Sequence, residues 1–496
     1  MQNFSIISLL LSAPIVGIFF LWSSRNLYFV RAVALTTSLF CLLLSLMLLS
    51  GFDQHSHFAG FQFVEQVSWI PSLNIHYSVG VDGISILFLP LTSLLFAGVI
   101  ISSWTGIRTL PRLYYTFLLL LLFATLGVFV ATDTILFLLF WEITLAPIYF
   151  LISLWGVGPN RRYAAVKYTL FMLIGGVPLL FGFIILAMNA ANGDVPAQLS
   201  FDYITLLNTP RSFEIQSTIF FLLLIGFGVK APIFPLHTWL PTIAMEGPVS
   251  VAAIMTGLKL GAYGFIRFMV PLAPDAALHY HWLLAGLGVV GILYGGIIAL
   301  NQSNLRRMLA YSSISHVGLV VLGIASFNIQ GIQGSIFQLL NFSIIMGGLF
   351  LMTGFLHHRT GSTDTLSLGG VAHSMPLLAS FFLLFGMAAM GVPGTNGFVA
   401  EHLILLGSLK AHTGAGLAAL AGIVLTAAYF FNIYRSAFLG ISRREVVSDS
   451  VDLLPRELGL VLLMAGLILF TGLYPSSIME ITQQATELWI ARLPVP

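Results

Sequence analysis

Apolar runs of about 20 residues recur along the whole chain, and no other feature constrains the fold as tightly. A run of that length crosses the hydrocarbon core as a helix, which satisfies every backbone N–H and C=O internally where water is absent. Fourteen such runs lie near 4–22, 27–50, 84–104, 112–131, 134–156, 162–188, 215–240, 249–271, 281–300, 305–327, 331–356, 375–408, 413–440 and 455–474. Only 8% of the residues are charged, against about 25% in a soluble domain. An aqueous fold of this length lacks the polar surface it needs, so the chain reads as an all-α polytopic membrane protein. The net charge of +2 gives no sign of nucleic-acid binding. The single cysteine, Cys41, excludes an intrachain disulfide and the thiolate sets of iron–sulfur clusters. The first run has no basic leader, so it is expected to be the first span rather than a cleaved signal.

Basic residues set the orientation, because cytoplasmic loops carry the excess of Lys and Arg. Arg25, Arg31, Arg108, Arg112, Arg161, Arg162, Arg306, Arg307, Arg359, Arg443, Arg444 and Arg456 fall on one side of a fourteen-span arrangement. Arg211, Arg267, Lys410 and Arg492 fall on the other. The bias places both termini in the periplasm. The arginines are expected at span ends or in loops.

Four ionisable residues stay at membrane depth: Glu142 in "FWEITLAPIYF", Lys230, Lys259, and Glu401 in "GTNGFVAEH". Each disfavours insertion by about 2.5–3.5 kcal/mol, so the set demands a function. A desolvated lysine can lose its proton, whereas arginine cannot. The interior therefore holds the kind of cation that titrates, which suits proton transfer. The competing reading is an inert Glu142–Lys230 ion pair locking two helices, with Lys259 snorkelling to a headgroup. Lys167 lies five residues past Arg162; a snorkelling role and a channel role both fit it.

Two spans are interrupted. "GFGVKAPIFPLHTWLP" (Gly226 to Pro241) places Pro232 and Pro235 in the seventh run beside Lys230 and His237. "GMAAMGVPGTNGFVAEH" (Gly386 to His402) places Pro393 among glycines in the twelfth, just before Glu401. Proline removes a backbone donor and breaks the helix, and irregular backbone at this depth is tolerated only inside protein or beside water. Breaks five spans apart predict two five-helix repeats of opposite orientation, the pattern of inverted-repeat transporters. The expected organisation is an N-terminal three-helix segment with a periplasmic loop (1–111), a first repeat (112–272), a second repeat (273–440), and a C-terminal helix and tail (441–496). Prolines that only kink helices for packing are the alternative.

Further polar residues extend the path. Ser312 and His316 in "AYSSISHVG" are one turn apart on one face of the tenth span, and Gln338 and Asn341 can share a face of the eleventh. A lone histidine in a span is also often a packing residue. No phosphate loop, dinucleotide fingerprint, metal cluster or nucleophile–base pattern appears.

"GVDGIS", "DTILFLLFWEITLAPIYFLI", "RRYAAVKYTLF", "KAPIFPLHTWLP", "GLKLGAYGFIRF", "LRRMLAYSSISHVG" and "GTNGFVAEHLILLGS" together resemble the antiporter-like membrane subunits of respiratory complex I, across nearly all the spans in order. The resemblance implies a proton channel. In it Glu142 pairs with Lys230, Lys259 makes the central connection, His316 helps bridge the halves, and Glu401 is the terminal carrier toward the periplasm. It implies a parent complex in a bacterial inner membrane that uses NADH, FMN, iron–sulfur clusters and quinone, none of them bound by this chain. Sister antiporter-like subunits, protons and lipids are the implied partners. Glu401 stands where most sister subunits, Mrp-type antiporter subunits included, have lysine. The long lateral helix of one sister type is not expected. Two positions depart from the family pattern: "LPTIA" (Leu240 to Ala244) replaces the common "LPDAH", and Phe342 stands where many members have histidine. An Mrp-type cation/proton antiporter subunit and the equivalent subunit of a ferredoxin- or hydrogenase-coupled complex are the alternative readings.

Overall fold

The computed structural model describes residues 5–54, 60–191 and 198–493. Eleven of its helices are long and apolar enough to cross a membrane. Three shorter apolar helices, Ile6–Trp22, Phe88–Ser102 and Pro376–Ala389, fall where the sequence predicts further spans, so a count of fourteen depends on those three. In chain order the apolar helices are α1 (Ile6–Trp22), α2 (Leu27–Ser50), α3 (Phe88–Ser102), α4 (Pro111–Val130), α5 (Thr134–Trp155), α6 (Arg161–Ala191), α7a (Phe213–Lys230) and α8 (Val249–Leu272). They continue with α9 (His281–Leu300), α10 (Leu305–Ile324), α11 (Ile329–Thr360), α12a (Pro376–Ala389), α12b (Asn396–Ala411), α13 (Thr413–Phe438) and α14 (Pro455–Leu473).

Burial sorts these helices into an inner and an outer layer. The most apolar window of α11 is 100% buried, that of α8 94% and that of α10 89%. The corresponding figures for α2 and α13 are 33% each, leaving their outer faces to lipid. The enclosed helices are thus the ones that carry Lys259, His316, Gln338 and Asn341. Small residues allow close approach where no hydrophobic drive exists between helices in lipid. A Cβ on Gly295 of α9 would stand 2.6 Å from the Ser315 amide of α10, and one on Gly318 would stand 2.6 Å from the Gly288 carbonyl.

The helices break in more places than the prolines announce. Pro232 and Pro235 lie in the non-helical link after α7a, before a short helix Trp239–Glu246, and Pro393 lies in the link between α12a and α12b. Two further interruptions add to the two broken helices expected. In α8 the helix stops at Gly257; Leu258 is extended (φ −108°, ψ 109°), and helix resumes at Leu260 before a π-helical turn over Phe265–Met269. In α5 the helix is discontinuous at Thr144, three residues before Pro147, whose missing N–H leaves a carbonyl without its partner.

The fold is mostly helical, as expected, with one short sheet in a connection. Segment 51–83, expected as a loop, contains an antiparallel hairpin of β1 (Gln62–Ile70) and β2 (Ile75–Val81). Glu65 of β1 caps α1 by accepting from the amides of Ile7 (2.8 Å) and Ser8 (3.0 Å), two of the unpartnered donors of a helix start. The tail forms an amphipathic helix, α15 (Ser476–Ala491). Trp489 of α15 donates to the Ile266 carbonyl in the π turn (2.8 Å), and Met479 accepts from Gln333 of α11 (2.9 Å).

Candidate functional site

Lys230 is the last residue of α7a, placed there by the proline-rich link that ends the helix. Its ammonium donates to the Thr144 hydroxyl (2.7 Å) and the Trp141 carbonyl (3.3 Å), and it lies 3.9 Å from the centre of the Trp141 ring. The discontinuity in α5 makes this contact possible. Thr144 turns its own hydrogen to the Trp141 carbonyl (2.7 Å), which leaves its oxygen free to accept. Glu142 lies between these two residues in sequence, yet no ion pair within 4.0 Å joins it to Lys230 among the described residues. Instead its carboxylate lies over Gly176 of α6, where an added Cβ would stand 2.3 Å from Oε1. The expected pair is therefore adjacent but separated. Sequence reading missed Thr144, because one threonine in an apolar helix carries no signal until the break beside it is known.

Lys259 sits at the break in α8, buried, and its Nζ makes no hydrogen bond to any described residue. Gly261 lets that break lie directly on the one in α7: a Cβ there would stand 2.2 Å from the Ala231 amide. A cavity of about 30 Å³ lies between the two lysine-bearing elements, lined by Thr144, Lys230, Trp239, Met255, Leu258 and Leu260. A site of that volume with polar groups on its wall has room for water. On its other side Lys259 faces the Phe342 ring, 5.5 Å from the ring centre, and the same ring is 6.2 Å from the His316 imidazole. The family departure at position 342 thus puts an apolar ring between Lys259 and His316.

The second cluster surrounds the break in α12. Glu401 of α12b is 2% exposed. Its Oε1 is 3.6 Å from His316 Nε2, and its Oε2 has no hydrogen-bond partner among the described residues. His316 Nε2 is 3.1 Å from the Ala389 carbonyl at the end of α12a, and Nδ1 is 3.5 Å from the Ser312 hydroxyl. Asn341 of α11 donates to the Asn396 carbonyl (3.0 Å) and, at 3.4 Å, to Gln338, which fixes the start of α12b. A small cavity touches His316, Gln338, Asn341, Phe342 and Ala389. Asn396, buried with both side-chain polar atoms unpartnered among the described residues, was passed over although it stands in the quoted "GTNG".

Two supporting residues lie around the α7 link. Lys167 donates to the Thr238 carbonyl (2.9 Å) and the Thr242 hydroxyl (3.0 Å), so the unusual Thr242–Ile243–Ala244 stretch supplies an acceptor of its own. His237 Nε2 is 3.3 Å from the Tyr294 hydroxyl of α9; no contact links it to Lys230.

Arg267 adds a feature the sequence did not announce. It lies near the end of its span as expected, but it is 5% exposed inside the π turn of α8, two turns beyond Lys259, and paired rather than solvated. Its guanidinium grips Asp82 of "GVDGIS" in a two-pronged pair, with Nη1 to Oδ2 at 2.8 Å, and Nε donates to Tyr263 (3.2 Å). Phe61, Tyr203 and Tyr263 surround it at 5.1–5.7 Å. Burial pushes the Asp82 carboxyl up, but Arg267 and the Ser85 amide outweigh that and hold it below the ordinary carboxylate value. Among the described residues no group of three or more His, Cys, Asp or Glu side chains converges as a metal site.

Residues 131–426 match the transmembrane family described as NADH:quinone oxidoreductase/Mrp antiporter. The chain is 37% identical over 456 residues to NADH-quinone oxidoreductase subunit M of Rhodobacter capsulatus, covering 90% of this chain and 88% of that protein. It is 37% identical over 503 residues to an NAD(P)H-quinone oxidoreductase chain 4 of Thermosynechococcus vestitus, covering 99% and 92%. Its fold is similar to a chain of respiratory complex I from Thermus thermophilus, with TM-score 0.89 and 29% identity over 99% of this chain and 100% of that one. A chain of the Mrp complex from Dietzia shares the fold at TM-score 0.83 and 21% identity, covering 99% of this chain and 52% of that one. The chain belongs to the family of antiporter-like membrane subunits of respiratory NADH–quinone oxidoreductases, with subunit M proteins among its relatives.

Proposed function

We propose that the chain translocates protons as a non-redox subunit of a respiratory NADH–quinone oxidoreductase, along Glu142, Lys230, Lys259, His316 and Glu401. One observation carries this reading: Lys230, Lys259 and Glu401, each buried, sit at or beside a helix break, with small cavities that a few polar side chains touch beside them. In this arrangement Lys230 rests on Thr144 and the Trp141 carbonyl, apart from Glu142. An ammonium beside a carboxylate is stabilised in its charged form; withdrawn into apolar surroundings, it gives way to the amine. A small displacement of α7a relative to α5 therefore switches Lys230 between holding a proton and releasing it toward Lys259. Phe342 then separates Lys259 from the Ser312–His316–Glu401 cluster, and water reorganised around the ring by Gln338 and Asn341 completes the route. Lys167, His237 and the threonines of the α7 link serve the cytoplasmic intake.

Redox groups on neighbouring subunits (NADH, FMN, iron–sulfur clusters and quinone) supply the energy in this scheme. With the arginine-rich face in the cytoplasm of a bacterial inner membrane, both termini face the periplasm. Segments 112–272 and 273–440 then carry one half-channel each. Glu142→Gln and Lys259→Ala are expected to lower the protons pumped per electron in the assembled complex, read as NADH-driven acidification of inverted vesicles. A stoichiometry unchanged in both variants refutes the path. The fold shared with the Mrp complex supports a second reading, cation/proton antiport, which sodium-dependent transport in the same vesicles would establish.

A further inference from the structure

Tyr429 of α13 is 2% exposed, and its hydroxyl is 2.7 Å from that of Ser312. On its other side it is within donating reach of the Thr426 hydroxyl, at 3.3 Å. Thr426 in turn donates to the Gly422 carbonyl (3.0 Å), so toward Tyr429 it can only accept. At the opposite end of the row stands His316, whose Nε2 faces the Ala389 carbonyl at 3.1 Å. A carbonyl only accepts, so Nε2 carries a hydrogen.

These fixed ends leave two directions for the row between them. With His316 neutral, the bare Nδ1 accepts from Ser312, and Ser312 accepts from Tyr429. With His316 charged, Nδ1–H donates to Ser312, Ser312 donates to Tyr429, and Tyr429 donates to Thr426. Each direction gives His316 a partner on both nitrogens. Passing between them requires only rotation of the hydroxyls of Ser312 and Tyr429; no O–H bond breaks, and the proton that charges the ring is carried by the groups already described.

We propose that Tyr429 is a positioning residue for proton transfer at His316, its hydroxyl reversing a Ser312–Tyr429–Thr426 hydrogen-bond row as the imidazole gains or loses charge. The inference rests on the proton path proposed above. The ionisable groups facing His316 among the described residues are Glu401 from α12b, Lys259 from α8 and Tyr429 from α13. Of these, Tyr429 alone is joined to His316 through a side-chain hydroxyl in direct contact with both.

The test uses the intact complex in inverted membrane vesicles, reading NADH-driven proton pumping across a pH series. Tyr429→Phe keeps the ring and removes only the oxygen. It is expected to lower pumping about fivefold, the effect of one lost hydrogen bond, and to narrow the pH profile, because Ser312, when it accepts from charged His316, loses the acceptor for its own hydrogen. Ser312→Ala should do the same, and the double variant should pump no worse than either single one, since a row is broken only once. Should Tyr429→Phe fail to assemble, Ser312→Ala alone carries the test. A wild-type rate and pH profile in Tyr429→Phe overturns the proposal, as does a double variant whose loss is the product of the single losses. Glu401→Gln separates the two readings. If it pumps normally, the proton path itself fails; if it abolishes pumping while Tyr429→Phe and Ser312→Ala behave as wild type, only the role of Tyr429 fails.

Discussion

Arg267 shows what it takes to keep a permanent charge inside this fold. Three aromatic rings and a tyrosine hydroxyl surround the guanidinium, and among the described residues Asp82 is the one that neutralises it. Removing one member of a buried pair leaves the other uncompensated, at a cost of about 3–5 kcal/mol. Asp82→Asn is therefore expected to lower the thermal midpoint of the detergent-solubilised protein sharply. The pH dependence follows from the lowered Asp82 carboxyl. Its contribution is fully present above the ordinary carboxylate value of about 3.9 and is lost only as pH falls through the lower folded value. The gap between wild type and Asp82→Asn should thus stay constant from pH 8 to 5 and narrow only in stronger acid. A gap that closes near neutral pH rejects this account. No local pattern advertised the pair, since its partners are 185 positions apart.

At the scale of elements, the broken helices separate what the sequence could say from what it could not. Pro232, Pro235 and Pro393 announce their own breaks, because a missing N–H is a property of the residue. The break at Leu258–Lys259 has no proline; it arises because Gly261 admits the α7 link against α8, a tertiary cause with no local marker. The hairpin at 62–81 was hidden by its position in a connection read for membrane spans, although its β-branched and aromatic residues suit a strand. The α12 link gives a sharp prediction. Gly391 has φ +66°, and a Cβ on it would stand 2.3 Å from Glu401 Oε2, so both backbone and side chain exclude alanine. Gly391→Ala should assemble poorly or, where it assembles, displace Glu401 and pump at least tenfold less, about the effect of 1.4 kcal/mol on a barrier. Normal pumping with normal assembly contradicts the position assigned to Glu401.

On the scale of the whole molecule, the orientation proposed from the arginine distribution can be tested directly. Replacing Cys41, the sole cysteine, and placing a new one in the exposed segment between α13 and α14 gives a reporter of sidedness. Ile441, 90% exposed, is a suitable site. A membrane-impermeant maleimide should label it in inverted vesicles and not in intact cells; the reverse pattern turns the chain over. The inner layer of α8, α10 and α11 was readable only in part. Their polar residues showed in the sequence, but burial near 100% belongs to the assembled bundle.

The bond between Asp82 and Arg267 also bears on how such a chain is made. Ribosomes deliver the carboxylate 185 residues ahead of the guanidinium, so the anion is made before the eighth helix is complete. An arginine that on its own disfavours insertion then has a counterion already synthesised, so Asp82→Asn is expected to lower the yield of inserted chain as well as its stability.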